Sequence, residues 1–490
     1  MAWYHQAMRP SSDGPDSVST PPTAADADVE TSLYEVRKKI HPRSVHGWFA
    51  TWRWIFIFGT QAVYYSLCWL PWNGRQAVLF DLVQRKFFIF GFVFWPQDFF
   101  FLTLLLIILA YSLFLFTAIG GRLWCGFACP QTVYTEIFLW VERLIEGDWL
   151  ARMRLDKAPL SADKVGRKAV KHGVWLVFSL WTGFTFVGYF TPIKSLVAEV
   201  ASLSLGPWEI FWIFFFCVAT YGNAGWMREQ VCKYICPYAR FQGVMFDPDT
   251  LTVTYDIERG EPRGPRSRKE DRRAKSLGDC VDCGICVQVC PTGIDIRNGL
   301  QYECISCSAC IDGCNQVMDK MDYPRGLIRY TTQNALKEHW GWRQILSRIF
   351  RPRIIIYSAI LCVIIGAFLW GLGHKPALRV DVIRDRATLA REVEDEINGE
   401  DQIENVFRLQ VMNVSEKNQR YSLAVSGIEG ARIEGPNEID VPATTTSSMI
   451  VAVRVPEHFA DKGSKIIFFN VHSLIDSGVA VHEKAMFIEP

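Results

Sequence analysis

"GDCVDCGICVQVCPTGIDIRNGLQYECISCSACIDGC", residues 278–314, holds eight of the chain's fifteen cysteines. It contains two runs of C-x2-C-x2-C-x3-C: Cys280, Cys283, Cys286 and Cys290, then Cys304, Cys307, Cys310 and Cys314. This is the spacing of a ferredoxin with two [4Fe–4S] clusters. Three closely spaced thiolates wrap a tight loop around three irons of a cube. The fourth is carried past by the next turn and ligates the other cube. The spacing therefore assigns Cys280, Cys283, Cys286 and Cys314 to a first cluster, and Cys290, Cys304, Cys307 and Cys310 to a second. Small and apolar residues between the ligands (Gly284, Ile285, Ser308, Ala309) suit a backbone that approaches the sulfides and screens them from water. Zinc would ask for four ligands in two pairs. Pro291 follows the first run, whereas Asn315 takes that place after the second; a turn signal weakens and no ligand is lost.

Seven cysteines lie elsewhere. Cys68, Cys217 and Cys362 stand alone in apolar runs and read as small buried hydrophobes. The other four come in pairs just past apolar runs: Cys125 and Cys129 in "GRLWCGFACPQT" (121–132), Cys232 and Cys236 in "EQVCKYICPYAR" (229–240). Each pair has helical i, i+4 spacing, which would put both thiols on one helix face. The prolines that follow, Pro130 and Pro237, are expected to end or kink those helices. Two hairpins packed together would bring the four thiolates side by side near the ferredoxin run. Four sulfurs suit Cu(I), zinc or a further iron–sulfur cluster. A dithiol that gives up two electrons as a disulfide forms would use the same residues. Two coincidental pairs at an interface is the plainer alternative.

The chain has 490 residues, half of them hydrophobic, with 33 Phe, 18 Trp and a net charge of +1. So balanced a charge excludes a nucleic-acid protein, which needs a basic excess. The apolar residues are concentrated in five segments near 52–71, 98–120, 173–191, 207–226 and 353–373, about the length a bilayer requires. "FFFLTLLLIILAYSLFLFTAIGG" (99–121) carries no charge at all. Trp52, Trp72, Trp175, Trp208 and Trp370 stand near segment ends, as interfacial rings do. The 121–172 loop holds nine Lys/Arg and the 192–206 loop only Lys194. The positive-inside rule then places the N-terminus, 121–172 and 227–352 in the cytoplasm and 374–490 outside. All twelve non-membrane cysteines fall on the reducing side, which favours metal or cluster ligation over disulfides.

The organisation expected is a multi-domain membrane protein. A disordered cytoplasmic tail (1–35) precedes four spans with the two CxxxCP motifs (36–226). A cytoplasmic two-cluster ferredoxin-like region (227–352) and a fifth span (353–373) follow. The last part, 374–490, reads as an all-β sandwich from "NVFRLQVMNV" (405–414), "QRYSLAVSG" (419–427), "SSMIVAVRV" (447–455) and "SKIIFFNVHS" (464–473). His458, His472 and His482 are scattered there and form no catalytic set. "QTVYTEIFLWVERLIEGDWLARMR" (131–154) groups Ile137, Trp140, Val141, Leu144 and Ile145 near one face and is expected either to lie on the cytoplasmic leaflet or to pack on the ferredoxin-like region.

Taken together, the two CxxxCP motifs, "FDPDTLTVTYDIERGEPRG" (246–264), the 278–314 run and "MDYPRGLIRY" (321–330) closely resemble the cytochrome c oxidase accessory proteins of the FixG/CcoG/RdxA type. The resemblance runs from "IHPRSVHGWFATWRW" (40–54) to the C-terminus. It implies a protein of the bacterial inner membrane that reduces Cu(II) to Cu(I). The copper would reach a cbb-type cytochrome oxidase through a copper-transporting P-type ATPase and assembly factors. It also implies an immunoglobulin-like outer domain. Carried over, Cys125, Cys129, Cys232 and Cys236 become the candidate catalytic or copper site, and the eight ferredoxin cysteines the electron supply. The electron donor stays open. Two other functions compete: a quinol-linked electron-transfer subunit of a respiratory enzyme, and an assembly scaffold with structural clusters. No C-x-x-C-H haem motif occurs, and no histidine pairs lie inside the spans: His172 is at a span edge and His374 just past the last.

Overall fold

The computed structural model describes residues 39–268, 270, 276–385, 390–394, 401–456 and 463–489. The tail expected over 1–35 and His458 lie outside them. The first half is helical: α1 (Trp48–Ser66), α2 (Phe99–Gly120), α3 (Leu123–Phe127), α4 (Pro130–Glu146), α5 (Trp149–Lys157), α6 (Ala162–Val187), α7 (Ile193–Ala201), α8 (Pro207–Thr220) and α9 (Pro237–Met245). Three helical stretches are long and apolar enough to cross a bilayer: Pro96–Gly120, Pro207–Met227 and Pro352–Gly373. The first and third expected segments are also helical, as α1 and α6. They are less apolar, because α1 carries Arg53 and α6 begins with "ADKVGRKAVKH".

α2 and the Pro352–Gly373 helix run antiparallel. Phe101 meets Phe368 at 6.0 Å and Tyr111 meets Tyr357 at 6.1 Å. At one end Arg351 donates to the Ala118 carbonyl at 2.6 Å and pairs with Asp247 at 3.0 Å. At the other, the buried Asp98 takes Lys375 at 2.8 Å and Arg379 at 2.5 Å. Each helix has 22 residues, about 33 Å at roughly 1.5 Å per residue, which matches a hydrocarbon core of about 30 Å. The cysteine-rich region and the C-terminal domain therefore occupy opposite ends of this pair.

Residues 72–97 join the first two apolar segments. They contain a three-stranded antiparallel sheet, Val78–Asp81, Lys86–Ile89 and Phe92–Phe94. Leu79, Phe88, Val93 and Trp95 form its buried core. The sheet supports the C-terminal domain: Arg75 reaches Glu416 at 2.5 Å and Lys86 donates to the Thr444 carbonyl at 2.9 Å. That domain pairs two antiparallel sheets. One has the order Arg432–Glu434, Thr446–Pro456, Asp401–Asn413, Leu378–Arg384, with Arg391–Glu394 also on Asp401–Asn413. The other has the order Glu438–Val441, Gln419–Ser426, Gly463–Ser473, Ala480–Glu489. Alternate residues (Phe407, Leu409, Val411; Val451, Val453, Val455; Ile467, Phe469, Val471) fill the core between them.

The stretch 131–154 is not one helix. Gly147, at φ 87°, ends α4 and Asp148 starts α5. The apolar face expected there is divided: Val141 is buried, while Trp140 and Leu144 are exposed. The packed face of α4 carries three carboxylates, Glu136, Glu142 and Glu146. Glu142 pairs with Arg228 at 2.8 Å, Arg152 at 3.1 Å and Lys171 at 3.5 Å, tying α4, α5, α6 and the chain after α8 together. Burial alone would push its carboxyl up; the cations around it prevail and hold it down at about 2. A depressed folded value means stability that is fully present above the ordinary value of 4.5 and lost as pH falls toward about 2. Glu142→Gln is expected to cost about 3–5 kcal/mol by stranding buried cations, and to remove this part of the acid sensitivity. Unfolding midpoints between pH 5 and 3 test it; parallel wild-type and variant curves would refute it.

The cysteine-rich region is locked onto α1. Asp312, on the Ala309–Met321 helix, accepts from the backbone N–H of Ala50 at 2.8 Å and of Phe49 at 3.4 Å. It satisfies N–H groups that the first turn leaves without helical partners. Gly47 allows this approach, since a Cβ there would sit 2.4 Å from the Asp312 carboxyl carbon. Asp312→Ala is expected to cost about 1–2 kcal/mol. Limited proteolysis at the 40–47 segment would show it as faster cleavage.

Candidate electron-transfer site

Two cavities lie within the cysteine-rich region. Cys280, Cys283, Cys286 and Cys314 line the first, with Tyr255 and Ile328. Cys290, Cys304, Cys307 and Cys310 line the second, with Ile294 and Ile305; Cys286 reaches its edge. The two loops share a backbone habit. Asp282 (φ 52°) and Gly284 (φ 65°) match Ser306 (φ 55°) and Ser308 (φ 62°), two and four residues after each leading cysteine. These left-handed residues turn each loop around its cavity. Burial pushes the thiols of Cys286 and Cys307 up to about 11 and those of Cys304 and Cys314 up to about 12. A thiol so desolvated becomes a thiolate only beside a strong cation. Four such donors around an enclosed space fit a [4Fe–4S] cube. Cys283 is exposed, so the first cavity faces solvent there.

The second cavity faces the helices. Arg53 of α1 is buried, and its guanidinium interacts with the Cys307 sulfur while lying 3.8 Å from the Glu136 carboxylate. Arg122 is also buried and donates to the carbonyls of Tyr302, Ala239 and, at 3.3 Å, Cys304. Two fixed positive charges at the 304–307 loop favour added negative charge on whatever those thiols hold. Arg53→Met is expected to make the second centre harder to reduce and leave the first unchanged, with Arg53→Lys intermediate. A redox titration followed by EPR measures this; equal potentials in all three proteins would refute it.

The two CxxxCP motifs depart from the helix expected for them. Gly121, at φ 60°, ends α2 against the Leu251 carbonyl, and Cys125 lies in the short α3. Cys129 stands before α4 with Pro130 as its first residue. The second motif repeats the plan. α8 runs into π turns at Tyr221–Met227 and Val231–Ile235, the latter holding Cys232. Cys236 then precedes α9, which begins at Pro237. The prolines start helices here rather than ending them. A proline at the first helical position loses no hydrogen bond, and it forces the cysteine before it into an extended conformation. Cys129 (ψ 129°) and Cys236 (ψ 110°) both show this.

The four thiols nonetheless converge. Each interacts electrostatically with the other three, and all are free. Gln131 clamps the two motifs by donating to the carbonyls of Asn223 at 3.0 Å and Arg228 at 3.1 Å. Burial pushes Cys125 up to about 11 and Cys232 up to about 12. Cys125 also donates to Gln242 at 3.4 Å. Among the described residues, no three Cys, His, Asp or Glu side chains stand at the spacing of a single-ion site. That holds equally for the quartets around the two cavities. The four thiols adjoin the second cavity: Cys125 and Cys232 pack with Ile305 and Cys307. A Cβ on Gly126 would lie 2.7 Å from the Ser306 carbonyl oxygen and 2.8 Å from that of Ile305. Gly126→Val therefore has to part the first motif from the 304–307 loop. A loss of about 1–3 kcal/mol is expected, with less iron retained per chain; iron analysis on purified protein checks it.

Sequence reasoning missed Arg53, Arg122, Gly126 and Gln242. Only Arg53 left a signal, as a lone charge in the apolar "FATWRWIFIFG".

Comparison with known proteins fits this geometry. Residues 227–333 match a family described as a 4Fe-4S dicluster domain. Residues 99–150, which include Cys125 and Cys129, match a 4Fe-4S binding domain. Residues 368–490 match the IG-like fold at the C-terminal of FixG. The nitrogen fixation protein FixG of Rhizobium meliloti is 37% identical over 440 residues, covering 83% of this chain and 82% of that one. Protein RdxA of Cereibacter sphaeroides is 39% identical over 435 residues, covering 86% and 89%. The methylamine utilization ferredoxin-type protein MauN of Methylobacillus flagellatus is 25% identical over 186 residues, covering 38% and 52%.

Proposed function

The chain belongs to the FixG/RdxA family of iron–sulfur proteins, and on that premise we propose that it reduces Cu(II) to Cu(I) for assembly of a cbb-type cytochrome oxidase. One observation carries this reading: three cysteine sites lie in contact, from the exposed Cys283, through the quartet of Cys290, Cys304, Cys307 and Cys310, to the four CxxxCP thiols. Cys280, Cys283, Cys286 and Cys314 would hold one [4Fe–4S] cluster, and Cys290, Cys304, Cys307 and Cys310 the other. When bound, the clusters supply one-electron storage. Arg53 and Arg122 hold positive charge on the inner side, which draws the electron toward the membrane helices. Cys125, Cys129, Cys232 and Cys236 present soft sulfur, which favours Cu(I) over Cu(II). Each copper ion takes one electron and no proton.

The topology that goes with this reading has five spans, α1 and α6 joining the three most apolar helices. The N-terminus and cysteine-rich region face the cytoplasm of a bacterial inner membrane, as the loop charges favour. The C-terminal domain faces outward, where it would dock a partner. Cu(I) would pass to a copper-transporting P-type ATPase.

The test is anaerobic. Purified protein is reduced with dithionite and freed of excess. Cu(II) is then added while a chelator reports Cu(I) and EPR reports the clusters. Cluster oxidation in step with Cu(I) is expected, and about tenfold slower in Cys129→Ser/Cys236→Ser, a difference of about 1.4 kcal/mol in barrier. An unchanged rate in that variant would sink the thiol site. Clusters that cannot be cycled at all would leave a structural scaffold.

A further inference from the structure

A pocket of about 610 Å³ lies beside the two cavities. That is within the range of small-molecule sites, roughly 300–1,000 Å³. Its walls are mostly apolar, with Phe49, Leu251, Ile311 and Ile328 among them. Its position sets it apart. Trp48 opens α1, Leu123 follows the end of α2, and Trp342 lies shortly before the Pro352–Gly373 helix. All three side chains are exposed. The pocket thus opens where three membrane-length elements meet the cysteine-rich region, at the depth of interfacial tryptophans.

Its inner wall belongs to the redox sites. Ile328 lines both this pocket and the cavity of Cys280, Cys283, Cys286 and Cys314. Ile311 directly follows Cys310. Tyr330, another lining residue, donates its hydroxyl to the Ser306 carbonyl at 2.7 Å and interacts electrostatically with Cys304 and Cys307. A molecule in the pocket is one side chain away from each quartet. A few polar groups, Asn315, Arg325 and Arg329, stand in the otherwise apolar lining. The guanidinium groups are ion-paired, to Asp319 at 2.7 Å and to Asp256 at 2.9 Å. They still place positive charge beside any ring oxygen carrying partial negative charge.

We propose that this pocket binds a membrane quinol and is where electrons enter the protein. The proposal rests on the electron-transfer reading and adds its missing donor. An apolar chamber reached from the lipid phase suits a ring with a hydrocarbon tail. Charge complementarity at the arginines suits the ring oxygens, and a separation of one side chain from each quartet gives the two electrons separate destinations. The step balances: one hydroquinone becomes one quinone, one electron goes to the centre at each quartet, and two protons leave to water. A lipid without a redox ring would gain nothing from the shared walls.

The experiment uses the full-length protein with its clusters, anaerobically, with decylbenzoquinol as the probe. Wild type is expected to show cluster reduction by the quinol. In Leu123→Trp, which fills the opening from an exposed position, the ratio of quinol to dithionite reduction rates falls about tenfold (~1.4 kcal/mol). Trp208→Ala, at an exposed tryptophan of α8 outside the pocket, provides a second variant and keeps that ratio within about twofold. A second readout is independent of turnover: an azido-quinone should label peptides containing residues 120–123, 325–330 or 342, and excess decylbenzoquinone should compete. Labelling spread over lipid-facing helices, competition by anionic lipid alone, or an unchanged ratio in Leu123→Trp each overturns the proposal. If dithionite-reduced protein reduces Cu(II) while quinol leaves the clusters oxidised, the quinol site falls and the copper reading stands.

Discussion

The Asp312 carboxylate sits on the first N–H groups of α1, and most of the functional geometry depends on that contact. Asp312 shares a helix with Cys310 and Cys314, so the cap fixes the cysteine loops against α1. Arg53 lies just over one turn into α1, and this docking brings its guanidinium to Cys307. The same docking sets Phe49 against Tyr330, with ring centroids 5.7 Å apart, on the wall of the large pocket. Without the cap, the charge at the second quartet and the inner wall of the pocket would both lose their position.

A second constraint is close backbone approach. Gly126 meets the 305–306 backbone with no room for a side chain. Gly121 turns the chain at the end of α2 in the left-handed region, beside Leu251. Between and after these contacts, Pro130 and Pro237 start new helices and hold Cys129 and Cys236 extended. The thiols are thus positioned by chain reversals rather than by one helix face. The buried ion cluster around Glu142 stiffens the elements that carry them. Breaking such a cluster is costly because removing one partner strands the others in a desolvated site.

The helix pair α2 and Pro352–Gly373 separates the chemistry from the C-terminal domain by about a bilayer's thickness. Asp98 with Lys375 and Arg379 anchors one end, and Arg351 with Asp247 anchors the other. The small sheet over Val78–Phe94 then gives the β domain a fixed platform.

What the sequence determined by itself is local. Cysteine spacing defines loops that gather thiols at the reach of a [4Fe–4S] cube, because ligand reach is set by a few residues of backbone. Short segments such as 405–414 and 464–473, which alternate or run apolar between turn residues, mark strands, because a strand turns successive side chains to opposite faces and buries one face against the facing sheet. The uncharged run 99–121 marks a membrane-length helix for the same kind of reason. What tertiary structure decided is non-local. Convergence of Cys125, Cys129, Cys232 and Cys236 depends on how two reversals pack, and no window of sequence contains that. The sheet at 78–94 hid in an apolar stretch whose strands are only three or four residues long. The glycine at 126 and the arginines at 53 and 122 have meaning only through partners some 80 to 250 residues away. Such contacts are fixed by packing density and by the cost of an unpaired buried charge, and neither is written at one position.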